Sequence, residues 1–159
     1  MEIDLNQIKD LLISTIKKMV SFMDLECQVE VREESSDEGK NLLVSVYTPE
    51  NARFLIGKDG QNLRSFEQVV RAMFLKNITQ IKNIIIDVND YKKSRTLYVL
   101  DLVKQVVTRV RNTQKAEALL PMTAYERRVV HMELAACPDI ATESIGSEPQ
   151  RRIVIKPYP

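Results

Sequence analysis

Glycine is scarce in this chain, four residues in 159, and histidine occurs once. One imidazole and two widely separated cysteines, Cys27 and Cys137, cannot form a His/Cys metal set. Cysteines so placed read as reduced thiols in a cytoplasmic protein. No apolar run reaches the roughly 18 residues of a membrane-spanning helix. The opening Met1-Glu2-Ile3-Asp4-Leu5-Asn6 lacks the basic stretch and apolar core of a secretory signal. No Gly-Lys-Ser/Thr phosphate loop and no nucleophile motif is found, and triad catalysis would require a distant acid to orient His131. The expectation is therefore a binding protein with no catalytic residues, no cofactor and no metal. A metal-dependent nuclease is the leading enzymatic alternative.

What is present is 44% apolar, which suits one globular domain or two small ones. Net charge is only +1, but it is unevenly spread. Residues 1–50 carry five Lys/Arg against eleven Asp/Glu, residues 51–90 carry six against four, and residues 91–159 carry twelve against seven. Such polarity orients a molecule against a polyanion.

Two of the four glycines fall in one stretch, Leu55-Ile56-Gly57-Lys58-Asp59-Gly60-Gln61-Asn62-Leu63. Without a Cβ, Gly57 and Gly60 can take positive φ and admit a foreign backbone. Gly60 also stands at the start of a helical pattern running through Phe66, Val70, Met73 and Phe74, where the dipole favours a phosphate. Lys58 adds a cation there. The stretch has the chemistry of a clamp on a nucleic-acid backbone, although a G-x-x-G between apolar runs is more often a simple turn.

The surrounding order decides between these readings. From Asp4, the spacing Ile8, Leu11, Leu12, Thr15, Ile16, Met19, Val20, Met23 predicts an amphipathic helix. Cys27, Val29 and Val31 alternate as a half-buried strand, and Leu42, Val44 and Val46 form its hairpin partner across a polar loop, Ser35–Lys40. Pro49 is expected in the first turn of a short helix capped by Thr48 and running through Leu55. A helix from Gly60 to about Lys76 and a strand Ile84–Val88 complete the order αββααβ. With Ile56-Gly57-Lys58-Asp59-Gly60 between two helices, residues 4–88 resemble a KH domain of the bacterial type. That resemblance implies a loop clamping about four single-stranded nucleotides. Their bases would lie on an apolar groove edged by Ile56 and Leu63, with Phe66, Val70 and Met73 as core. KH loops often hold two basic residues between the glycines; here Asp59 is acidic.

Asp90 is placed to cap a long helix, Tyr91 to about Lys115, with Leu97, Leu100, Val103, Val107 and Val110 on one side. Thr123-Ala124-Tyr125-Glu126 is a capping box opening a further helix that Pro138 stops. On an ideal wheel Tyr125, Val129, Met132 and Ala136 form a core face, and Arg127 and His131 project together from nearly the opposite side. Two strands, Ile140–Ser144 and Arg151–Ile155, should follow. The pattern Leu120-Pro121-Met122-x-x-Tyr125-Glu126-Arg127-Arg128-x-x-His131, with Arg151 and Arg152 beyond, resembles the single-stranded nucleic-acid-binding domain named for an arginine and a histidine separated by three residues.

A KH domain (1–89) followed by that domain (90–159, starting with the long helix) resembles the Jag family of bacterial proteins. The family often carries an extra N-terminal module, and here the resemblance begins at the first KH helix. The implied fold is α+β, the KH domain being joined by the long helix to a small α/β domain with a three-stranded sheet and two helices. The implied function is binding of single-stranded RNA, with single-stranded DNA as the alternative. The role implied is post-transcriptional regulator or RNA chaperone linked to cell elongation and division, with a small single-KH-domain protein as partner. The implied site is Ile56, Gly57, Lys58, Asp59, Gly60, Leu63, Arg127, Arg128, His131, Arg151 and Arg152. A protein-interaction scaffold built on the KH surface is the competing reading.

Overall fold

The computed structural model describes residues 4–36, 39–76 and 78–158, and it is a mixed α+β structure. The chain divides into two compact units, one ending at Lys92 and the other beginning at Lys93.

In the first unit α1 (Leu5–Ser21) buries Ile8, Leu12, Ile16 and Val20 at four-residue spacing. Leu11 and Met23, expected in the same stripe, are exposed. Strands β1 (Gln28–Ser36) and β2 (Gly39–Tyr47) pair antiparallel, Gln28 opposite Tyr47 and Ser36 opposite Gly39. The pairing thus runs into the expected loop at Ser35–Lys40; Asp37 and Glu38 of that loop lie outside the described residues.

The helix expected at Pro49 begins later, as α2 (Ala52–Ile56) with Asn51 at its N-cap in the left-handed region. Thr48 does not cap it. Its hydroxyl donates to the Glu50 carbonyl (2.9 Å), while its main chain is held at both ends by the Asn89 amide. After a single 3-10 turn, Lys58–Gly60, comes α3 (Gln61–Phe74), then β3 (Ile81–Val88), parallel to β2. The sheet order is β1-β2-β3. Two parallel strands need a crossover, and α2 and α3 supply it. Leu42, Val44, Val46, Ile84, Ile86 and Val88 alternate onto one face and meet α1, Leu55, Leu63, Val70 and Phe74 in one core. Met73, expected in that core, is exposed, and Phe66 is half-buried.

The outer edge of β3 is occupied by side chains of α3. The Glu67 carboxylate accepts from Ile86 N–H (2.8 Å), and Arg71 Nε donates to the Ile84 carbonyl (2.7 Å). Glu67 is also ion-paired with Arg71 (2.8 Å) and Lys92 (2.6 Å), which accounts for a carboxylate among buried residues.

The long helix α4 spans Tyr91–Thr113. Asp90 does not cap it. Asn89 and Asp90 both have positive φ, and the Asp87 carboxylate takes the Lys92 N–H (3.0 Å). Burial pushes the Asp87 carboxyl up, against the opposing pull of the Lys92 and Val88 N–H groups. In the second unit α4 buries Val99, Val103, Val106, Val107 and Val110; Leu97 is exposed, so the apolar stripe is rotated from the expected one. Strand β4 (Glu117–Ala118), helix α5 (Ala124–Leu134), and strands β5 (Ile140–Ile145) and β6 (Arg152–Pro157) follow. The antiparallel sheet is ordered β4-β6-β5. The capping box forms as its sequence demands, Glu126 N–H donating to Thr123 Oγ1 and Thr123 N–H to the Glu126 carboxylate.

The face of α5 is the reverse of the one read from the wheel. Glu126, Arg127, Val130 and Leu134 are buried, whereas Tyr125 and Met132 are 66% and 67% exposed. Polar partners elsewhere in the fold make the difference. Glu126 meets Arg95 on α4, and Arg127 meets the Met122 carbonyl, so two charged side chains pack on the same side of the helix as Val130 and Leu134. Cys27 and Cys137 are free thiols. Among the described residues no helix is long and apolar enough to cross a membrane.

Candidate nucleic-acid interface

The glycine stretch is fixed by backbone geometry. Gly57 has φ 71° and ψ −179°, a region open essentially to glycine alone. A Cβ on it would stand 2.6 Å from Asn62 Cγ. Asn62 is placed there because its amide donates to the Phe54 carbonyl (2.8 Å), closing the end of α2 over the loop. Gly60 sits at φ 75°, ψ 18°, and a Cβ would meet the Tyr91 ring at 2.9 Å. Asp59 adopts the left-handed region between them, and its carbonyl accepts from Arg64 Nη1 (2.8 Å).

Gly60 stands at the N-cap of α3 and, among the described residues, no side-chain cap hydrogen bond forms there. Lys58 and Asp59 are exposed, Ile56 and Gly57 are half-buried, and Gly60 is buried. Leu63 lies in the core and offers no groove edge. Residues that sequence reasoning passed over extend this site. Phe54 is 53% exposed with the Arg53 guanidinium 5.1 Å over its ring, a platform suited to a base. The adjacent Arg-Phe pair ahead of the loop is the available signal. Asn62 and Tyr91 give none, since their role is to fill the space the glycines leave.

In the second unit Arg127 is only 8% exposed. Its Nη1 donates to the Met122 carbonyl (2.7 Å), and its Nη2 is 2.8 Å from Glu148 Oε1. Met122 N–H in turn donates to the Arg151 carbonyl (3.1 Å), so the start of β6 lies beside the guanidinium. His131 is half-buried between two β5 hydroxyls, Nδ1 2.7 Å from Thr142 Oγ1 and Nε2 3.0 Å from Ser144 Oγ. Arg128 and Arg151 are exposed, and Arg152 is half-buried with Nε donating to the Gln150 carbonyl. The structure therefore joins Arg127, His131 and the β5–β6 connection into one surface, with Thr142, Ser144 and Glu148 as members the sequence did not reveal.

Below that surface, burial alone would raise the Glu126 carboxyl, but the Arg95 guanidinium (2.7 Å) and the Thr123 N–H outweigh it and hold it below the ordinary glutamate range. The two groups of site residues fall in separate units. Among the described residues no cluster of His, Cys, Asp or Glu is placed to hold a metal ion.

Residues 98–157 match the family model of the Arg-x-x-x-His domain, the one named for an arginine and a histidine separated by three residues. The protein named RNA-binding protein KhpB in Clostridium symbiosum is 26% identical over 148 residues, covering 93% of this chain and 65% of the relative. Its namesake in Bacillus subtilis is 32% identical over 120 residues, covering 74% and 58%. That of Lactiplantibacillus plantarum is 25% identical over 146 residues, covering 92% and 42%. Over most of its length the chain is similar to these Jag-family proteins. It spans 42–65% of the length of these three relatives. Within this chain the domain match takes in Arg127, His131, Glu148 and both Arg151 and Arg152, whereas the glycine loop lies outside it.

Proposed function

We propose that this chain is a Jag-family single-stranded RNA-binding protein and not an enzyme. In this reading the first unit is a KH domain, and Gly57–Gly60 with Lys58 seats the phosphate backbone. Arg127, Arg128, His131, Arg151 and Arg152 form a second contact surface. The supporting observation is the glycine loop itself. Backbone at positive φ lies ahead of an uncapped helix, with an exposed lysine on the turn and an exposed aromatic beside it. Shared ancestry with proteins named as RNA-binding supports the same reading. The cellular role that goes with it is post-transcriptional regulation or RNA chaperoning in the cytoplasm, tied to bacterial elongation and division. A small single-KH-domain protein is the protein partner in this picture.

The test is fluorescence anisotropy of a labelled unstructured oligoribonucleotide at low and moderate salt. Saturable binding that weakens as salt rises is expected. Absence of binding at low salt to any unstructured RNA or DNA strand would overturn the reading.

A further inference from the structure

Ion pairs in the second unit fall into distinct kinds. Arg95 and Glu126 are mostly buried on both sides, and Arg109–Glu117 and Arg111–Asp139 are exposed on both. Arg127–Glu148 is mixed: the arginine side chain is 9% exposed and the glutamate 60%. A buried cation needs a counter-charge, but a mostly hydrated carboxylate loses little by swinging back into water. Glu148 is carried by a turn in the β5–β6 connection, closed by Gln150 N–H to the Ser147 carbonyl at 2.9 Å. The Met122 carbonyl holds one arm of the Arg127 fork, so the other arm is aimed at whatever anion occupies the Glu148 position. Carboxylate and phosphate oxygens satisfy a guanidinium with the same geometry.

We propose that Glu148 is a specificity-determining residue of this surface: its carboxylate holds the seat on Arg127 that a phosphate of the bound strand takes. The inference rests on the RNA-binding reading above. An incoming phosphate exchanges one ion pair for another, and the strand gains the Arg127 contact only where it is held closely enough to displace the carboxylate. Loosely held anions are turned away. On β5, the strand that precedes the Glu148 turn, Thr142 and Ser144 are held by His131.

The experiment compares binding of a fluorescent oligouridine to the full chain and to two single variants. Glu148→Gln removes the competing charge. Glu143→Gln removes a similarly exposed carboxylate of β5 that pairs with Lys156, and so reports the general effect of lost negative charge. Glu148→Gln should tighten binding about fivefold and Glu143→Gln less than about twofold, the scale of a local pair against that of diffuse charge. Nitrogen NMR of the Arg127 side chain provides a readout a merely structural role would not move. Its signal should shift on Glu148→Gln without RNA, and shift again when RNA binds that variant. Equal tightening by the two variants, or an Arg127 signal that ignores RNA, overturns the inference while leaving RNA binding intact. Binding seen only with Glu148→Gln supports it in its strongest form. No binding by either the natural chain or Glu148→Gln overturns this inference and the RNA-binding reading together.

Discussion

The two candidate contact surfaces are built from different materials. At the glycine loop the main chain holds the shape, and the side chains that would meet a ligand, Lys58 and Phe54, stand in water. At the second surface Arg127 and His131 are already engaged with Met122, Glu148, Thr142 and Ser144. A ligand at the first surface finds an open seat. At the second it must enter an existing hydrogen-bond network. It follows that binding and folding are separable by side-chain substitution at the loop and entangled at Arg127.

The sharpest break of that comparison is Arg127→Ala. It strips the Met122 carbonyl of its donor in a buried setting, with an expected loss of about 2–3 kcal/mol on urea unfolding. A variant as stable as the natural chain would show that the guanidinium is held for the ligand alone. Gly57→Ala comes next: the forced conformation costs about 1–3 kcal/mol before the clash with Asn62 is counted, measured the same way. Lys58→Asp should leave unfolding unchanged and weaken RNA affinity about tenfold across unrelated sequences, as loss of a phosphate contact does. If both units hold one strand, Arg127→Ala should add to that loss. Unchanged binding in both variants ends the two-surface account.

A subtler effect concerns Glu126. Its folded-state carboxyl is depressed, so its contribution to stability is complete above the ordinary value of 4.5 and fades as pH falls through the lower folded value. Glu126→Gln keeps the capping geometry but not the charge, and should flatten unfolding midpoints across that acid window. The smallest effect is Asn62→Ala, which removes the amide from the Phe54 carbonyl at a cost of about 1 kcal/mol.

Much of this is legible in the sequence where the controlling physics is local. The glycine loop can be read because positive φ is open to glycine at no steric cost, and the Thr123–Glu126 box because both partners sit within one turn. The hairpin follows from alternation at Val29–Val31 and Leu42–Val46, and the third strand from the apolar run Ile84–Val88. The α5 face cannot be read this way. An apolar stripe of Tyr125, Val129, Met132 and Ala136 predicts the core, yet the fold buries Glu126 and Arg127 together with Val130 and Leu134. Their partners are remote: Arg95 lies 31 positions from Glu126, and Glu148 lies on another loop. A charge reads as surface until its counter-charge is known. Glu67, whose partners include Ile86 and Lys92, escapes the sequence for the same reason.

That last residue has a wider bearing. A strand with one unpaired flank is an adhesive margin, and cells crowded with extended segments offer it company. Here the free flank of β3 is guarded by a helix of the same unit, which lays a carboxylate on one amide and a guanidinium on one carbonyl. Sheet growth by a foreign chain is barred on that flank until both are dislodged, and the opposite margin of the same sheet is that of β1.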